Sequence, residues 1–290
     1  MPNILYEKIM SDPWLVAYEC SKKKCDIAEI IVILRQLLSS HQESREYIIG
    51  LELLKALKSM VPPAMYIRLA RKVFDEELLD KIVSDLDPEI VINEYAKNYA
   101  VGMSYLTLLE TLPFLGKRKE AFDKMISILK TATIKLKDDP ELLREFVRAL
   151  VFGPFSFLSP NLLVKLFRTI QELPDEPLYL QLKSDLLLMI IENYPPKMFQ
   201  DYPEISVMIG KLLRGIAERN LLIFSEDPDM ALSVYYQLSV FLSKMSNMCR
   251  ELNDWKPCGT VMKEAGETLS EMNSRIGRFI IALNAGREQV

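Results

Sequence analysis

Apolar residues recur at helical spacing along almost the whole chain of 290 residues. One clear example has apolar or small side chains at every third or fourth position, namely Phe122, Met125, Ile126, Leu129, Thr133 and Leu136. Such spacing places these side chains on one face of a helix. Alternating, strand-like stretches are almost absent, and leucines at helical spacing follow even the β-branched run Ile30–Ile33. Glycine, which strand-rich folds need for hairpins and bulges, is scarce at 10 residues. The sequence therefore predicts an all-α protein.

Aspartate followed by proline marks four positions where a helix is expected to begin. Aspartate is a good N-cap, and proline in the first helical position loses no hydrogen bond that the helix needs. The four pairs are Asp12-Pro13, Asp87-Pro88, Asp139-Pro140 and Asp227-Pro228. With the other proline breaks, they divide the chain into predicted helices at 3–10, 13–20, 26–39, 43–60, 63–74, 76–85, 88–99, 103–112, 117–137, 140–151, 160–172, 177–193, 203–222, 228–252 and 258–284.

Short connections join most of these predicted helices, so neighbours are expected to fold back on one another as antiparallel hairpins. Three helix starts share Asp-Pro, an acidic residue and an apolar residue, namely Asp87-Pro88-Glu89-Ile90, Asp139-Pro140-Glu141-Leu142 and Asp227-Pro228-Asp229-Met230. In these starts and in its hairpin rhythm, the chain resembles the α-helical repeat proteins of the HEAT, armadillo and tetratricopeptide class. The resemblance implies helical hairpins stacked as an irregular α-solenoid. A multi-helix bundle is the alternative architecture.

The clearest candidate boundary between domains lies at residues 152–160, where Gly153, Pro154 and Pro160 interrupt the helical pattern. We therefore expect an N-terminal helical region at 1–152 and a C-terminal helical region at 160–290, with one continuous domain as the alternative. The C-terminal region is predicted to end in a long hairpin, which could pair with a second copy of the chain in a homodimer.

The chain contains one histidine, and this limits the chemistry it can carry. Metal sites that need two or more histidines cannot be built from a single chain. A Ser-His-Asp triad would have to use His41, which lies among polar residues in a predicted turn and is interpreted as a solvated side chain. Gly210 and Gly215 have the spacing of a phosphate-binding loop but lack its Lys and Ser/Thr, so we interpret them as permitting close helix packing. No catalytic set and no cofactor site are predicted.

The four cysteines form two sequence pairs, Cys20 with Cys25 and Cys249 with Cys258, each at a predicted junction between helices. Free thiols are the common state in a cytosolic protein. Two local disulfides would each stabilise a helix junction, although intracellular disulfides are rare outside hyperthermophiles. A four-cysteine metal site would need spacings unlike the common zinc patterns and would need the two pairs to meet. All three interpretations stay open.

Basic residues cluster at several positions in a chain whose net charge is −4. The clusters considered as a nucleic-acid face are Lys22, Lys23 and Lys24; Arg68, Arg71 and Lys72; and Arg275 and Arg278. At helical spacing such residues form a stripe that could follow a phosphate backbone. A solvated surface balanced by acidic neighbours is the favoured interpretation, because nucleic-acid binders usually carry a basic excess.

The segment around Gly153 and Pro154 carries Phe152, Phe155 and Phe157 where a helix is not expected. An apolar loop must be covered, either by the fold itself or by a partner. We expect an internal plug, with a partner-docking loop as the alternative.

These observations favour a non-catalytic helical interaction or scaffold protein that binds a protein partner. One alternative is a nucleic-acid-associated accessory subunit that uses the basic helix faces. Another is an all-α enzyme with a carboxylate or lysine site that no motif marks. No leader segment or membrane span is predicted, because the longest purely apolar run, Leu186–Ile191, is far shorter than the roughly 20 residues that a span needs. We expect a cytoplasmic protein, and the abundance of Lys and Glu suggests a heat-adapted source.

Overall fold

A computed structural model describes residues 4–152, 160–173 and 177–287 of the chain. Across these residues the chain forms sixteen α-helices and one 3₁₀ turn, and it forms no strand. The prediction of an all-α protein is therefore confirmed. The chain divides into two compact units, residues 1–157 and residues 158–290.

The first unit contains ten of the helices found among the described residues. They are α1 (Ile4–Ser11), α2 (Pro13–Ser21), α3 (Ile27–Ser39), α4 (Arg45–Met60), α5 (Pro63–Val73), α6 (Glu76–Asp85), α7 (Pro88–Lys97), α8 (Tyr99–Thr111), α9 (Arg118–Lys135) and α10 (Pro140–Phe152), with the 3₁₀ turn at Leu112–Leu115 between α8 and α9. Helix α4 packs against α2, α3 and α8, and α7 packs against α8 and α9. Helix α8 is buried on almost every side, as expected of a helix that is apolar around most of its circumference.

The second unit contains the other six helices. They are α11 (Pro160–Gln171), α12 (Pro177–Asn193), α13 (Pro196–Asp201), α14 (Pro203–Ile223), α15 (Pro228–Glu251) and α16 (Lys256–Arg287). Helix α14 packs most extensively along α16, and α12 packs along α15. Inside this unit, Gln237 of α15 donates a hydrogen bond to the buried carboxylate of Asp185 in α12, with 2.9 Å between Nε2 and Oδ1.

All four predicted Asp-Pro helix starts are confirmed by their cap hydrogen bonds. Each aspartate carboxylate accepts a hydrogen bond from a backbone N–H in the first turn of its helix. The four capping residues are Asp12, Asp87, Asp139 and Asp227. The β-branched run near Ile30 also lies in a helix, α3, in agreement with the prediction.

Several helix boundaries differ from the sequence-based expectation by one to four residues, and one short helix was not expected. Helix α8 begins at Tyr99 and not at residue 103, because the side chain of Asn98 caps it by accepting from the N–H of Ala100. The Pro195-Pro196 break contains the short helix α13. Helix α16 begins at Lys256, two residues before the predicted start, since Pro257 occupies its first turn, where proline is tolerated.

The two glycines of α14 have different surroundings. A Cβ atom at Gly210 would lie 2.6 Å from the Cβ atom of Glu264 in α16, so the absence of a side chain permits the close packing of α14 on α16. This part of the prediction is confirmed. A Cβ atom at Gly215 would meet nothing within 4 Å, so the same prediction is wrong for Gly215.

In the described part of the chain, no helix combines the length and the apolar content needed to cross a membrane.

Candidate functional site

Glu110 is a charged side chain within the buried helix α8. Three hydroxyl side chains are buried in the same helix, those of Ser104, Thr107 and Thr111. Each donates a hydrogen bond to the backbone carbonyl four residues earlier. Glu110 is only 9% exposed and has no such intrahelical partner available, because a carboxylate accepts hydrogen bonds and does not donate them. Its charge is compensated by an ion pair with Lys58, which reaches it from α4.

Burial and the ion pair act on Lys58 in opposite directions. Burial lowers the pKa of the Lys58 ammonium to about 8, because a low-dielectric environment disfavours the charged form. The adjacent Glu110 carboxylate favours the charged form and opposes this shift. The pair is therefore a partly buried ion pair, in which each group compensates the charge of the other.

A groove lies beside this ion pair, between α8 and α10. It has a volume of about 600 Å³ and is lined by Tyr95, Tyr99, Met103, Glu110, Glu145, Arg148 and Ala149. The residues from α8 share one helical face, and the residues from α10 share another. We refer to this cavity as the α8–α10 groove. The groove is lined by both aromatic and charged side chains, a combination that is common in binding sites.

Tyr95 of α7 is placed at the base of the groove by a close approach of two helices. A Cβ atom at Gly102 of α8 would lie 2.4 Å from the Cα atom of Tyr95, so only glycine permits this approach. The Tyr95 ring makes edge-to-face contacts with Phe146 at 4.8 Å and with Tyr99 at 5.3 Å between ring centroids. The ring is therefore held on three sides, and Tyr95 is only 2% exposed.

The hydroxyl of Tyr95 is buried and has no hydrogen-bond partner within the described residues. Burial raises the pKa of Tyr95, and the neighbouring Tyr99 and Glu145 raise it further. Tyr95 lines the groove, but its hydroxyl oxygen has almost no accessible surface. A buried hydroxyl without a partner costs about 1–3 kcal/mol of folding free energy.

The α10 wall of the groove presents two opposite charges. Glu145 and Arg148 are both exposed, and neither forms an ion pair or a side-chain hydrogen bond with any described residue. On the opposite wall, Tyr99 is 58% exposed and offers a large part of its ring to solvent. The groove therefore has an aromatic wall and a wall whose two charges have no ion-pair partner among the described residues.

A second cavity, of about 570 Å³, lies in the second unit at the junction of α15 and α16. It is lined by Phe199, Gln200, Pro203, Ser206, Asp254, Lys256, Pro257, Gly259, Thr260 and Lys263. Its carboxylate, Asp254, already accepts hydrogen bonds from the side chain of Gln200 and from the backbone N–H of Lys256, both at 3.0 Å. The carboxylate of Asp254 therefore stabilises the start of α16. Among the side chains that line this cavity, no buried polar atom lacks a hydrogen-bond partner.

The cysteines are paired as two disulfides in the structure, Cys20 with Cys25 and Cys249 with Cys258. The first links the last turn of α2 to the connection that precedes α3, and the second links the last turn of α15 to the first turn of α16. No cysteine remains free for a four-cysteine metal site. Among the described residues, no group of three or more His, Cys, Asp or Glu side chains could hold a metal ion.

The basic clusters are exposed but lie on separate elements. Lys22, Lys23 and Lys24 follow α2, while the remaining members are Arg68, Arg71 and Lys72 on α5 and Arg275 and Arg278 on α16. Part of this charge is already engaged, since Arg275 pairs with Glu271 at 2.6 Å and Lys22 lies over the ring of Tyr18. The first two clusters belong to the first unit and the third to the second unit.

Two further predicted features have simple outcomes. Phe155 and Phe157 lie outside the described residues, as does the side chain of Phe152, which is the last residue of α10. His41 is exposed in the connection between α3 and α4, in agreement with its interpretation as a solvated side chain.

None of the groove residues was identified from the sequence. One signal could have indicated them: Glu110 is the only charged residue between Asn98 and Gly116, inside a segment that is otherwise apolar or carries hydroxyl groups. A charge in such a segment must be compensated by another element. No comparable signal in the sequence indicates that α10 lines the groove, because Glu145 and Arg148 have the spacing of ordinary surface residues on an amphipathic helix.

Comparison with models of protein families, with curated protein sequences and with solved structures gives no match to this chain. The functional argument therefore depends on the geometry alone.

Proposed function

We propose that this protein is a non-catalytic helical interaction protein, and that it receives a side chain of a protein partner in the α8–α10 groove. The observation that carries the proposal is the exposed ring of Tyr99 beside the exposed charges of Glu145 and Arg148 in one open groove.

The composition of the groove supports a protein partner. Exposed aromatic surface such as that of Tyr99 is enriched where proteins bind other proteins. Glu145 and Arg148 supply charges that have no ion-pair partner among the described residues, and such charges fix the register of an incoming chain. An open groove with walls of this kind can accept a side chain that is anchored on a larger surface.

The Lys58–Glu110 pair gives less support to the alternative of an enzyme. A lysine whose pKa burial lowers to about 8 is the feature that would favour such a reaction. However, Lys58 is paired with Glu110, so in this arrangement neither group is free to act as a base or a nucleophile. The nucleic-acid alternative would be supported by salt-dependent retardation of labelled DNA or RNA.

The test is site-specific photo-crosslinking with the full chain. A benzoylphenylalanine group replaces Tyr99 in one variant and Tyr236 in a control variant, because Tyr236 is also exposed, at 70%, but lies in the second unit. In extracts of the source organism, the Tyr99 variant should give a discrete product that an excess of unmodified protein competes away. A product pattern identical for both variants, or no competed product at Tyr99, would contradict the proposal.

A further inference from the structure

We propose that helix α2 and the lysines that follow it dock on the surface of an anionic lipid membrane. This inference goes beyond the proposed function, because none of the residues that carry it lines the α8–α10 groove. Three exposed apolar or aromatic residues of α2 lie next to three exposed lysines in the turn that follows the helix. We refer to this set as the α2 surface, and its members are Trp14, Leu15, Tyr18, Lys22, Lys23 and Lys24.

Helix α2 carries apolar residues on two faces, and only one of these faces is buried. The buried face packs along α4, and its residues are Pro13, Val16, Ala17 and Cys20. On the other face, Trp14, Leu15 and Tyr18 are 38%, 43% and 52% exposed. A helix that is apolar around most of its circumference is expected to be buried on most sides. The second face of α2 is therefore an apolar surface that the described residues leave open to a partner.

The three lysines continue this apolar face. Tyr18 and Lys22 are one helical turn apart, and the Nζ atom of Lys22 lies 5.5 Å from the centroid of the Tyr18 ring. The backbone N–H groups of all three lysines donate hydrogen bonds to carbonyls in the last turn of α2. The disulfide between Cys20 and Cys25 closes the same turn. The basic and the aromatic parts therefore adjoin and form one surface.

The positive charge of this turn is not cancelled by its neighbours. None of the three lysines forms an ion pair with a described residue. Of the two nearest acidic side chains along the chain, Glu19 pairs with Lys8, and Asp26 caps α3. Residues 20–26 contain three lysines and one aspartate, which leaves an excess of two positive charges. The α2 surface therefore complements a negatively charged partner.

The composition of the α2 surface favours a lipid surface over the other anionic partners. Lysine is a point charge without the planar fork of arginine, so it suits a target whose negative charge is diffuse. Protein interfaces are depleted in lysine, and they are enriched in arginine. A nucleic acid would stack on the rings of Trp14 and Tyr18 but would gain little from the aliphatic Leu15.

A layer of lipid headgroups accommodates every residue type of the α2 surface. Tryptophan and tyrosine place their apolar rings at the boundary of the acyl chains and their polar atoms among the headgroups. Leucine adds apolar area to the buried side, and lysine extends its charged end to the lipid phosphates. The contact is a docking on the surface, in which α2 lies in the plane of the membrane and does not cross it.

The fluorescence of Trp14 in the full chain tests this inference, because the chain contains only two tryptophans. In Trp255→Phe, Trp14 is the single reporter, and in Trp14→Phe, Trp255 of the second unit is the control reporter. Vesicles of phosphatidylcholine and phosphatidylserine should shift the Trp14 emission to shorter wavelength in a saturable manner, and brominated acyl chains should quench it. Vesicles of phosphatidylcholine alone should bind at least about tenfold more weakly. The emission of Trp255 should not change.

Charge variants test the role of the lysines. The triple variant Lys22→Gln/Lys23→Gln/Lys24→Gln should lower the affinity for the anionic vesicles on the order of a hundredfold, because each lysine near such a surface contributes about fivefold. The matched control makes the same change of net charge at three exposed lysines of the second unit, in Lys197→Gln/Lys211→Gln/Lys263→Gln. This control should bind as tightly as the parent protein. Equal losses in the two triple variants would show that net charge alone attracts the protein, and would overturn the inference.

Two further variants test the apolar part of the α2 surface, with Trp14 as the reporter in the Trp255→Phe background. Leu15→Gln and Tyr18→Ser should each weaken vesicle binding about fivefold, because each removes apolar area from the contact with the lipid. Both positions are exposed, so the circular dichroism spectrum and the melting temperature should stay close to those of the parent protein. Full affinity in both folded variants would overturn the inference.

The other anionic partners are tested by the same titration. A stronger saturable response of Trp14 to a single-stranded oligonucleotide or to a polyglutamate peptide than to the anionic vesicles would overturn the assignment to a lipid surface. No saturable response to the anionic vesicles would overturn it as well. Because Tyr99 lies outside the α2 surface, the crosslink at Tyr99 and the vesicle titration can succeed or fail independently.

Discussion

At the scale of single residues, the most consequential feature is a carboxylate in a helix that has few other polar groups. Glu110 is tolerated in α8 because Lys58 crosses from α4 to compensate it. Glu110 would be strongly destabilising at this depth without Lys58, since an uncompensated buried charge costs several kcal/mol, whereas the Lys58 side chain keeps 31% of its surface exposed. The pair therefore links α4 to α8 at one end of the groove. Because an ion pair needs a particular geometry, it restricts how the two helices can pack more than apolar contacts alone would.

Removing the Glu110 carboxylate should reveal how far burial alone lowers the pKa of Lys58. In Glu110→Gln, we expect the pKa of Lys58 to fall below the value of about 8 that it has beside the carboxylate, because the opposing charge is gone. The unfolded state, with an ordinary lysine pKa of about 10.5, then binds more protons than the folded state over a pH window that extends further below pH 8 than in the parent protein. The free energy of unfolding of the variant should therefore rise with pH across this window, from a value about 1–3 kcal/mol below that of the parent protein near neutrality.

Urea unfolding at a series of pH values measures this difference. The control is the double variant Lys58→Met/Glu110→Gln, which removes the titrating group and should not show the additional rise. Parallel pH profiles for the parent protein and Glu110→Gln would show that the carboxylate does not control the pKa of Lys58.

At the scale of elements, close helix packing depends on where a glycine faces. Gly210 and Gly215 lie in the same helix, α14, but only Gly210 faces a neighbouring helix at short range. The sequence shows two glycines in a helical pattern and cannot distinguish them, because the distinction depends on the position of α16. The same holds for Gly102, which fixes the approach of α8 to Tyr95.

Alanine substitutions at these two positions of α14 should change stability in opposite directions. Gly210→Ala should lower the free energy of unfolding by about 1–3 kcal/mol, because the new methyl group overlaps the side chain of Glu264 and approaches the carbonyl of Val261. Gly215→Ala should raise it by about 0.5–1 kcal/mol, since alanine restricts the unfolded chain and meets open space. Thermal or urea unfolding checks both, and changes of the same sign would refute this account of the packing.

The disulfides also act at the scale of elements. Thiol titration in denaturant should detect no free thiol before reduction and four after it, because all four cysteines are paired. Replacing Cys258 with Ser should destabilise the second unit by about 2–3 kcal/mol, since the pair with Cys249 closes a loop in the unfolded chain. Replacing Cys25 with Ser is the comparison in the first unit. Free thiols in the unreduced protein, or equal stability with and without reductant, would show that the thiols are not linked in solution.

At the scale of the whole molecule, the chain consists of two compact units that each contain their own buried core. We therefore expect the fragments 1–157 and 158–290 to fold independently, each with a helical circular dichroism spectrum and a cooperative thermal transition. The α8–α10 groove belongs entirely to the first fragment, so the competed crosslink at Tyr99 should remain with it. A fragment that is unfolded alone but helical when mixed with the other would refute independent folding.

Much of the fold could be predicted from local patterns. The spacing of apolar residues indicated nearly every helix, and the four Asp-Pro caps located their starts because an N-cap depends only on residues within one turn. The short helix α13 was missed because its six residues, between prolines, carry too little periodicity. The early start of α8 was missed because a cap by Asn98 lacks the proline that marked the others.

The candidate site could not be predicted in the same way. Its parts come from α4, α7, α8 and α10, which are separated along the chain and meet only when the helices pack. Tyr95, Tyr99 and Glu145 each resemble ordinary helix residues by themselves. Their significance arises from an unsatisfied hydroxyl, an exposed ring and an unpaired carboxylate at one location.

The sequence by itself determined that this chain forms helices, where most of them begin, and that its cysteines stand in two local pairs. These properties depend on interactions within a few residues, which periodicity and caps record directly. Only the tertiary structure decided that Glu110 pairs with Lys58, that Gly102 permits the close approach of α8 to Tyr95, and that the buried Tyr95 hydroxyl has no hydrogen-bond partner among the described residues. Those outcomes depend on distances between elements that are remote in sequence, and helix-helix packing fixes such distances only when the whole core assembles.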